Sequence, residues 1–401
     1  MQAPMHRTEF IALIAMMFAT IAFSIDAMLP ALPVIGAELS PDDVNRAQLV
    51  LTSFVLGMGL GTFFTGPLSD AFGRKPVILA GSALYIAAAA TAWLSSTLEV
   101  VLLARLVQGI AAAAPRVVAT AIVRDLYEGR QMARIMSFAF MIFTIFPAFA
   151  PLIGAGIIAL IGWRGIFLSF ILFVLIFTIW MSVRLPEPLP VENRRPFRVP
   201  LLIAALKELL RHPIVRLSIM VQSLCLAMLF TTLTMVQQIY DVIYDRADSF
   251  PLWFGAVALV AGSASLLNAW LVVRLGMRWM VTTTLAVQIV LSGAMLAITL
   301  GAGGLPFAVF VLWQTSLFFQ AGTTLGNLNA IAMEPMGHIA GLAASLMGGV
   351  STVVAAMIAA PIGLVFDGSV LPLALALTVL AALGFLLMRR MAHLERVAEI
   401  A

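Results

Sequence analysis

Charged side chains are scarce in this chain, and long apolar runs dominate it. Asp, Glu, Lys and Arg together make up 10% of the 401 residues, whereas 62% are hydrophobic. The mean hydropathy is +1.07. Soluble proteins of ordinary composition carry about 25% charged residues. The shortage of charge therefore excludes a water-soluble globular protein and indicates a polytopic membrane protein that keeps most of its length in lipid.

Cysteine and histidine are also rare, which excludes several kinds of chemistry. The single cysteine, Cys225, excludes a disulfide bond within one chain. The four histidines are spread along the sequence, so their spacing does not fit a metal centre. The sequence has no Gly-x4-Gly-Lys-Ser/Thr phosphate loop and no nucleophile–base pair. We therefore expect no cofactor, no metal ion, no ATP-driven step and no enzymatic activity.

Apolar runs of about 20 residues recur along the chain, and this length crosses a bilayer. They predict an all-α protein with twelve spans in two six-helix halves, at residues 1–184 and 212–401. A polar linker, 185–211, separates the halves, and its residues 201–211 are expected to form a short amphipathic helix. The first span is expected to be retained, since no small-residue cleavage site follows it. The predicted spans are 8–35, 45–67, 75–97, 99–122, 134–160, 165–184, 212–240, 251–273, 279–300, 305–331, 338–364 and 370–390.

The positive charges orient these spans. Eighteen of the 23 lysines and arginines fall on one side of the predicted topology, in the loops or at the adjoining ends of spans; three fall on the other side, and two lie deep inside a span. Because cytoplasmic loops carry the excess of lysine and arginine, both termini and the linker are predicted to be cytoplasmic. This alternation also explains the formal net charge of +4 without a nucleic-acid partner.

A charged turn between the second and third spans is the most informative segment of the chain. Residues 66–75 read Gly-Pro-Leu-Ser-Asp-Ala-Phe-Gly-Arg-Lys and place one acid, Asp70, beside two cations. Pro67 and Gly73 are expected to make the turn tight, because proline fixes φ and glycine tolerates positive φ. An acid and a base held at one membrane face have the parts of a cytoplasmic gate, although a fold staple without gating is the alternative. The predicted gate residues are Gly66, Asp70, Gly73 and Arg74.

Asp26 and Arg105 are charged residues inside predicted spans, where each charge costs at least ~2.5–3.5 kcal/mol. Asp26 is predicted to carry the proton, since a carboxyl group that meets each side of the membrane in turn can load and release one. A helix cap near the outer end is the alternative. Arg105 lies at a similar depth, about 10 Å below the periplasmic surface. We therefore expect a coupled Asp26–Arg105 pair, against the alternative that Arg105 caps neighbouring carbonyl groups.

A third intramembrane charge, Arg116, lies eleven residues after Arg105, so both point to nearly the same helix face. Two cations on one inner face attract an anionic or zwitterionic substrate, or else form a structural pair with backbone carbonyls. The sequence leaves both readings open. The seventh and tenth spans add amides and aromatic rings, which suit varied amphipathic ligands or serve as packing between helices. The predicted substrate cavity comprises Gln108, Arg116, Gln222, Gln237, Trp313, Gln314 and Asn327.

Several of these segments match patterns of a known family. Residues 66–75 closely resemble the loop 2–3 signature of the major facilitator superfamily, G-x-L-a-D-r-x-G-r-k, with Ala71 in place of a usual basic residue. Residues 26–33 resemble the span 1 pattern of twelve-span proton-coupled drug exporters, and 105–109 resemble the span 4 signature of proton-coupled members. Residues 332–345 are similar to the corresponding region of the Bcr/CflA multidrug exporters.

A further resemblance concerns the fifth span. Residues 150–155 resemble the Gly-Pro antiporter motif, with alanine in place of the first and last glycine. The resemblance implies an antiporter helix whose prolines permit a bend and whose glycines permit close helix contact. Packing without a role in antiport is the alternative. The residues expected to form this helix motif are Pro147, Pro151 and Gly154.

Together these resemblances imply a proton-coupled antiporter of the bacterial inner membrane, in which protons enter and an amphipathic organic molecule leaves by alternating access. The expected partners are a small organic substrate, protons and the lipid bilayer, with the chain acting as a monomer and without nucleic acid. Two alternatives stay open. The same scaffold exports metabolites such as sugars, amino acids or siderophores. A non-transporting membrane receptor is a further class, although a receptor would not need buried charge.

Overall fold

The computed structural model describes residues 5–301 and 304–400, apart from the side chains of Ala133, Phe143 and residues 398–400. This part of the chain is almost entirely helical and contains no β-strand. An apolar segment in lipid must satisfy its backbone hydrogen bonds internally, which favours helices. The α-helices are α1 (Arg7–Asp26), α2 (Leu32–Leu39), α3 (Leu49–Phe72), α4 (Arg74–Leu94), α5 (Leu98–Leu126), α6 (Gly129–Ile161), α7 (Gly165–Arg184), α8 (Val199–Arg211), α9 (Pro213–Gln238), α10 (Phe250–Leu275), α11 (Met277–Leu300), α12 (Phe307–Met333), α13 (Ala340–Leu364) and α14 (Leu371–Ile400).

Eleven helical segments of the described residues are long and apolar enough to cross a membrane. The longest segment, Phe307–Leu364, contains both α12 and α13. A short 3₁₀ segment that begins Glu334-Pro335 joins them, and Met336 there departs from helical geometry, with φ −109° and ψ 21°. The described chain thus has twelve spans, and the predicted all-α architecture is confirmed.

The first span is not one continuous helix. α1 ends at Asp26, a 3₁₀ turn (Leu29–Ala31) follows, and α2 completes the crossing. Pro30 and Pro33 lie at the starts of the two later segments, where a proline without an N–H group is tolerated. As a consequence, Asp26 lies at the end of a helix inside the span.

The chain divides into two compact units, Met1–Val199 and Pro200–Ala401, and the boundary lies within the predicted linker. In the first unit, α1 packs against α5, α6 and α7, and α5 packs against α3 and α4. Glycines bring α3 and α5 together: a Cβ added to Gly57 would lie 2.0 Å from the Leu106 carbonyl oxygen, and a Cβ on Gly109 would lie 2.0 Å from that of Phe54. These helices pack backbone to backbone, as small residues allow in membranes.

In the second unit, α9 packs against α12, α13 and α14, and α11 packs against α12 and α14. The buried thiol of Cys225 lies in a hydrophobic cluster of these helices and serves there as a small apolar group. α8, at the start of the unit, buries Leu202, Ala205 and Leu209. The short amphipathic helix expected at residues 201–211 is therefore confirmed.

Candidate functional site

The charged turn of the first unit is shorter than the sequence predicted. α3 continues to Phe72, so Gly66 and Pro67 lie within the helix and not in the turn, and the turn-forming role predicted for Pro67 is wrong. The Ser69 hydroxyl donates to the Gly66 carbonyl at 2.8 Å. Gly73 stands between α3 and α4 with φ +102°, a conformation that favours glycine. α3 thus stays helical up to this glycine, which lets the chain reverse.

The Arg74 side chain lies at the centre of the turn and is only 3% exposed. Its Nη1 donates to the Asp70 carboxylate at 2.5 Å and to the Ser69 hydroxyl at 2.7 Å. Its Nε donates to the carboxylate of Asp125, near the end of α5, at 2.7 Å. The Asp70–Arg74 ion pair is therefore present, with Asp125 as a second partner that the sequence reasoning missed. Its role as a gate stays a prediction.

Glu187, also missed, ties the segment after α7 to the same turn. Its carboxylate accepts from the backbone N–H groups of Arg74 at 2.8 Å and Lys75 at 2.9 Å, which are the unpaired donors of the first turn of α4. The backbone N–H of Arg195 donates to the Asp70 carbonyl at 2.9 Å. The available signal was weak: Asp125 and Glu187 are acids at the predicted cytoplasmic ends of spans.

Arg105 is fully buried in the first unit. Its Nε donates to the Val50 carbonyl at 3.2 Å, and its Nη2 donates to the Ser24 carbonyl at 2.8 Å. Its Nη1 donates to Gln108 Oε1 at 2.7 Å. The guanidinium also lies 4.3 Å from the centroid of the Phe54 ring, within the range of a cation–π contact. Arg105 thus binds neighbouring carbonyls and joins α5 to α1 and α3.

Asp26 is 6% exposed at the end of α1. Its carboxylate makes no hydrogen bond or ion pair with any other residue that the structure describes, so the direct Asp26–Arg105 ion pair expected from the sequence is absent here. Arg105 instead holds the carbonyl of Ser24, two residues earlier. The reason is geometric: carbonyls in the last turn of a helix lack partners within it, and α1 ends at this point.

Tyr85, on α4, holds the same segment from the other side and was missed by the sequence reasoning. Its hydroxyl lies 2.6 Å from the Ser24 hydroxyl, and both groups are buried. The signal available in the sequence was a single phenol in an alanine-rich span. Residue 24 is thus held through its carbonyl by α5 and through its hydroxyl by α4, close to the unpaired Asp26.

The residues predicted to form an antiporter helix motif lie on α6. Pro147 and Pro151 are inside this helix, which continues past both. Gly154 faces α1: a Cβ placed on it would lie 2.2 Å from the carbonyl oxygen of Ala27, the residue directly after Asp26. Gly156, two residues on, has nothing within 4 Å of such a Cβ. Gly154 therefore provides the close contact between α6 and the end of α1.

Gln108 and Arg116 are the cavity residues predicted in the first unit. Gln108 Oε1 accepts from Arg105, while its buried Nε2 has no acceptor in the described structure. The Nε of Arg116 is buried without a partner, and no hydrogen bond or ion pair links Arg116 to the other residues described. The sequence left open whether Arg116 binds backbone carbonyls, and no such bond is present.

The cavity residues predicted in the second unit are all buried. Trp313 Nε1 donates to the Ser292 hydroxyl at 3.1 Å, and the Tyr240 hydroxyl donates to Gln314 Oε1 at 2.8 Å. Asn327 Nδ2 donates to Asn268 Oδ1 at 2.8 Å. These contacts join helices, as the packing alternative expected. Gln222 and Gln237 each keep a buried Oε1 without a donor among the described residues.

Comparison with known proteins places most of the chain in one family. The Major Facilitator Superfamily profile matches residues 12–361. A bicyclomycin resistance protein homolog of Haemophilus influenzae is 33% identical over 345 residues, which is 84% of each chain. Multidrug resistance protein D of Escherichia coli is 32% identical over 167 residues, 42% of each chain.

Solved structures show the same fold at low sequence identity. The crystal structure of a D-xylose–proton symporter matches with a TM-score of 0.75 and 14% identity, over 95% of this chain and 97% of that one. The human organic anion transporter MFSD10 matches with a TM-score of 0.68 and 17% identity, over 96% and 100%. With its twelve spans, its signature turn and these relatives, the chain belongs to the major facilitator superfamily of multi-pass membrane transporters.

Proposed function

We propose that this transporter is a proton-coupled antiporter that exports small amphipathic organic molecules by alternating access. It works as a monomer in the bacterial inner membrane with both termini in the cytoplasm, as the distribution of lysine and arginine favours. The observation that carries the proposal is the buried Asp26 carboxylate, which has no hydrogen-bond or ion-pair partner among the described residues. The names of the relatives, which refer to bicyclomycin and multidrug resistance, support export of drugs.

Asp26 performs the proton step in this proposal. An ionised carboxylate without a partner is costly in a low-dielectric interior, so Asp26 is stable there as the neutral acid and releases its proton when water reaches it. Arg105 and Tyr85 bind Ser24 and so fix the depth of the end of α1 in the membrane. Since Arg105 is occupied by carbonyl groups, it acts on Asp26 through the backbone and not through a direct ion pair.

The turn at Gly73 forms the first unit's part of the cytoplasmic gate. Arg74 is neutralised by Asp70 and Asp125, and Glu187 binds the start of α4. This places three carboxylates around one buried guanidinium and its helix end. All of these contacts lie within the first unit, so the network fixes the shape of the turn and presents its charges at the predicted cytoplasmic face.

Transport in proteoliposomes with an imposed pH gradient tests the proposal. We expect the gradient to drive a fluorescent drug substrate against its concentration, and Asp26→Asn to lower this rate at least tenfold while equilibrium exchange of the drug persists. Asp42→Asn, at an exposed position outside the spans, is the matched control. Uptake that ignores the gradient in the unmodified protein contradicts proton coupling. Gradient-driven transport of sugars or amino acids, without drug transport, would instead support a metabolite carrier.

A further inference from the structure

Arg116 is the one intramembrane cation of the first unit without a partner in the described structure. α5 is continuous from Leu98 to Leu126, so Arg116 lies about 16 Å from Arg105 along the helix and about 15 Å before its end. Eleven residues turn the helix by about three full turns and 20°. Because Arg105 reaches carbonyls of α1 and α3, Arg116 projects toward the same inner side of the unit.

Arg105 shows what a structural arginine looks like in this unit. It donates from three nitrogens to two carbonyls and one amide, and it stacks on a ring. Arg116, on the same helix and the same face, makes none of these bonds with described residues, and its Nε is shielded from solvent. A guanidinium stays charged at physiological pH, and a charge without a counter-ion inside a membrane span is costly. Arg116 is partly exposed, so a group from outside the chain can reach it. The position is therefore built for a compensating group from outside the chain.

The nearby acids of the unit do not supply that group. Asp125 is bound to Arg74, and Glu9 is bound to Arg184. Asp26 lies near Arg105, which is eleven residues before Arg116 on α5. In addition, Gln108 Nε2 is a second buried donor on α5 without an acceptor in the described chain. The Arg116 guanidinium and Gln108 Nε2 are both hydrogen-bond donors, so a ligand that binds here must carry acceptors.

We propose that Arg116 binds an acidic group of the exported molecule, so that the substrates are amphipathic organic anions carrying a carboxylate or a similar oxyanion. The planar guanidinium matches two oxygens of such a group in a bidentate pair. The inference rests on the proposed export function but not on proton coupling. It assigns charge selection to Arg116 and proton transfer to Asp26.

Equilibrium binding of three matched coumarin probes to the full-length protein in nanodiscs tests the assignment. The probes differ in one group, which is a carboxylate, its methyl ester or a trimethylammonium. The unmodified protein should bind the carboxylate at least tenfold more tightly than the ester, the strength expected of a charge-assisted hydrogen bond. Arg116→Met should remove this preference, so that the carboxylate and the ester bind about equally, and Arg116→Lys should keep part of it. Arg46→Met, at a partly exposed arginine paired with Glu99, is the matched control.

Equal binding of carboxylate and ester by the unmodified protein overturns the inference, and this comparison needs no variant to fold. An equal loss of affinity for the carboxylate and the ester in Arg116→Met, with thermal stability retained, also overturns it. The residue would then shape the cavity without selecting charge. The assay contains no pH gradient. A charge preference that depends on Arg116, in a protein whose transport ignores the gradient, would refute proton coupling alone.

Discussion

Gly154 offers a direct test of how the end of α1 is held. A methyl group at this position would start 2.2 Å from the Ala27 carbonyl oxygen, so α6 and the end of α1 must move apart by about 1.2 Å to reach the 3.4 Å of an ordinary contact. Backbone atoms cannot yield as a flexible side chain does. Overpacking of this kind costs about 1–3 kcal/mol. We therefore expect Gly154→Ala to be destabilised by that amount.

Gly156→Ala is the matched control, because the same added methyl group on the same helix meets nothing within 4 Å. An alanine in a helix interior is more stable than glycine by about 0.5–1 kcal/mol, so this variant should be neutral or slightly stabilised. For a unit of about 200 residues, 1 kcal/mol corresponds to about 2–4 °C in Tm. In thermal unfolding of the purified protein, the Tm of Gly154→Ala should thus be roughly 2–12 °C lower than that of the unmodified protein.

The same variant should change transport more than its stability requires. Ala27 follows Asp26 directly, so moving the Ala27 carbonyl shifts the carboxylate that we assign to proton transfer. Gradient-driven transport at a temperature where both variants are folded should be slower for Gly154→Ala than for Gly156→Ala. If the two alanine variants have the same Tm and the same transport rate, the contact between α6 and the end of α1 does not position Asp26.

Three further predictions concern polar contacts. Asp125→Asn should lower the free energy of unfolding by about 1–3 kcal/mol, because the buried guanidinium of Arg74 keeps only one of its two carboxylates. Asp70→Asn, at a more exposed carboxylate, should lower it by less than about 1 kcal/mol. Denaturation of both variants gives the order, and a larger loss for Asp70→Asn would contradict the network. Glu187→Ala should cost about 0.5–2 kcal/mol through the lost cap of α4, and limited proteolysis should then cut the segment after α7 faster, whereas unchanged cleavage would argue against this tether. A double-mutant cycle of Asn268→Ala and Asn327→Ala should give a coupling of about 0.6 kcal/mol, with about 1.7 as an upper bound; strict additivity would mean that the pair contributes nothing.

The sequence was informative wherever a single segment carries its own signal. Hydropathy located the twelve spans, because lipid allows few structures other than a helix of about 20 apolar residues. Glycine and charge at 66–75 located the turn and the Asp70–Arg74 pair, whose members are four residues apart. Asp26, Arg105 and Arg116 stood out since charge is rare and costly inside a span.

The tertiary structure decided the partners of these residues. The contact of Arg74 with Glu187 spans 113 positions, and that of Arg105 with Ser24 spans 81. No periodicity reports such pairs, because they depend on the depth and rotation at which helices pack. Close glycine contacts set that depth: Gly154 meets the chain just after Asp26. The sequence by itself determined which charges the membrane must accommodate, and only the packing decided that Arg105 is occupied, that Asp26 is unpaired and that Arg116 is left without a partner in the described chain.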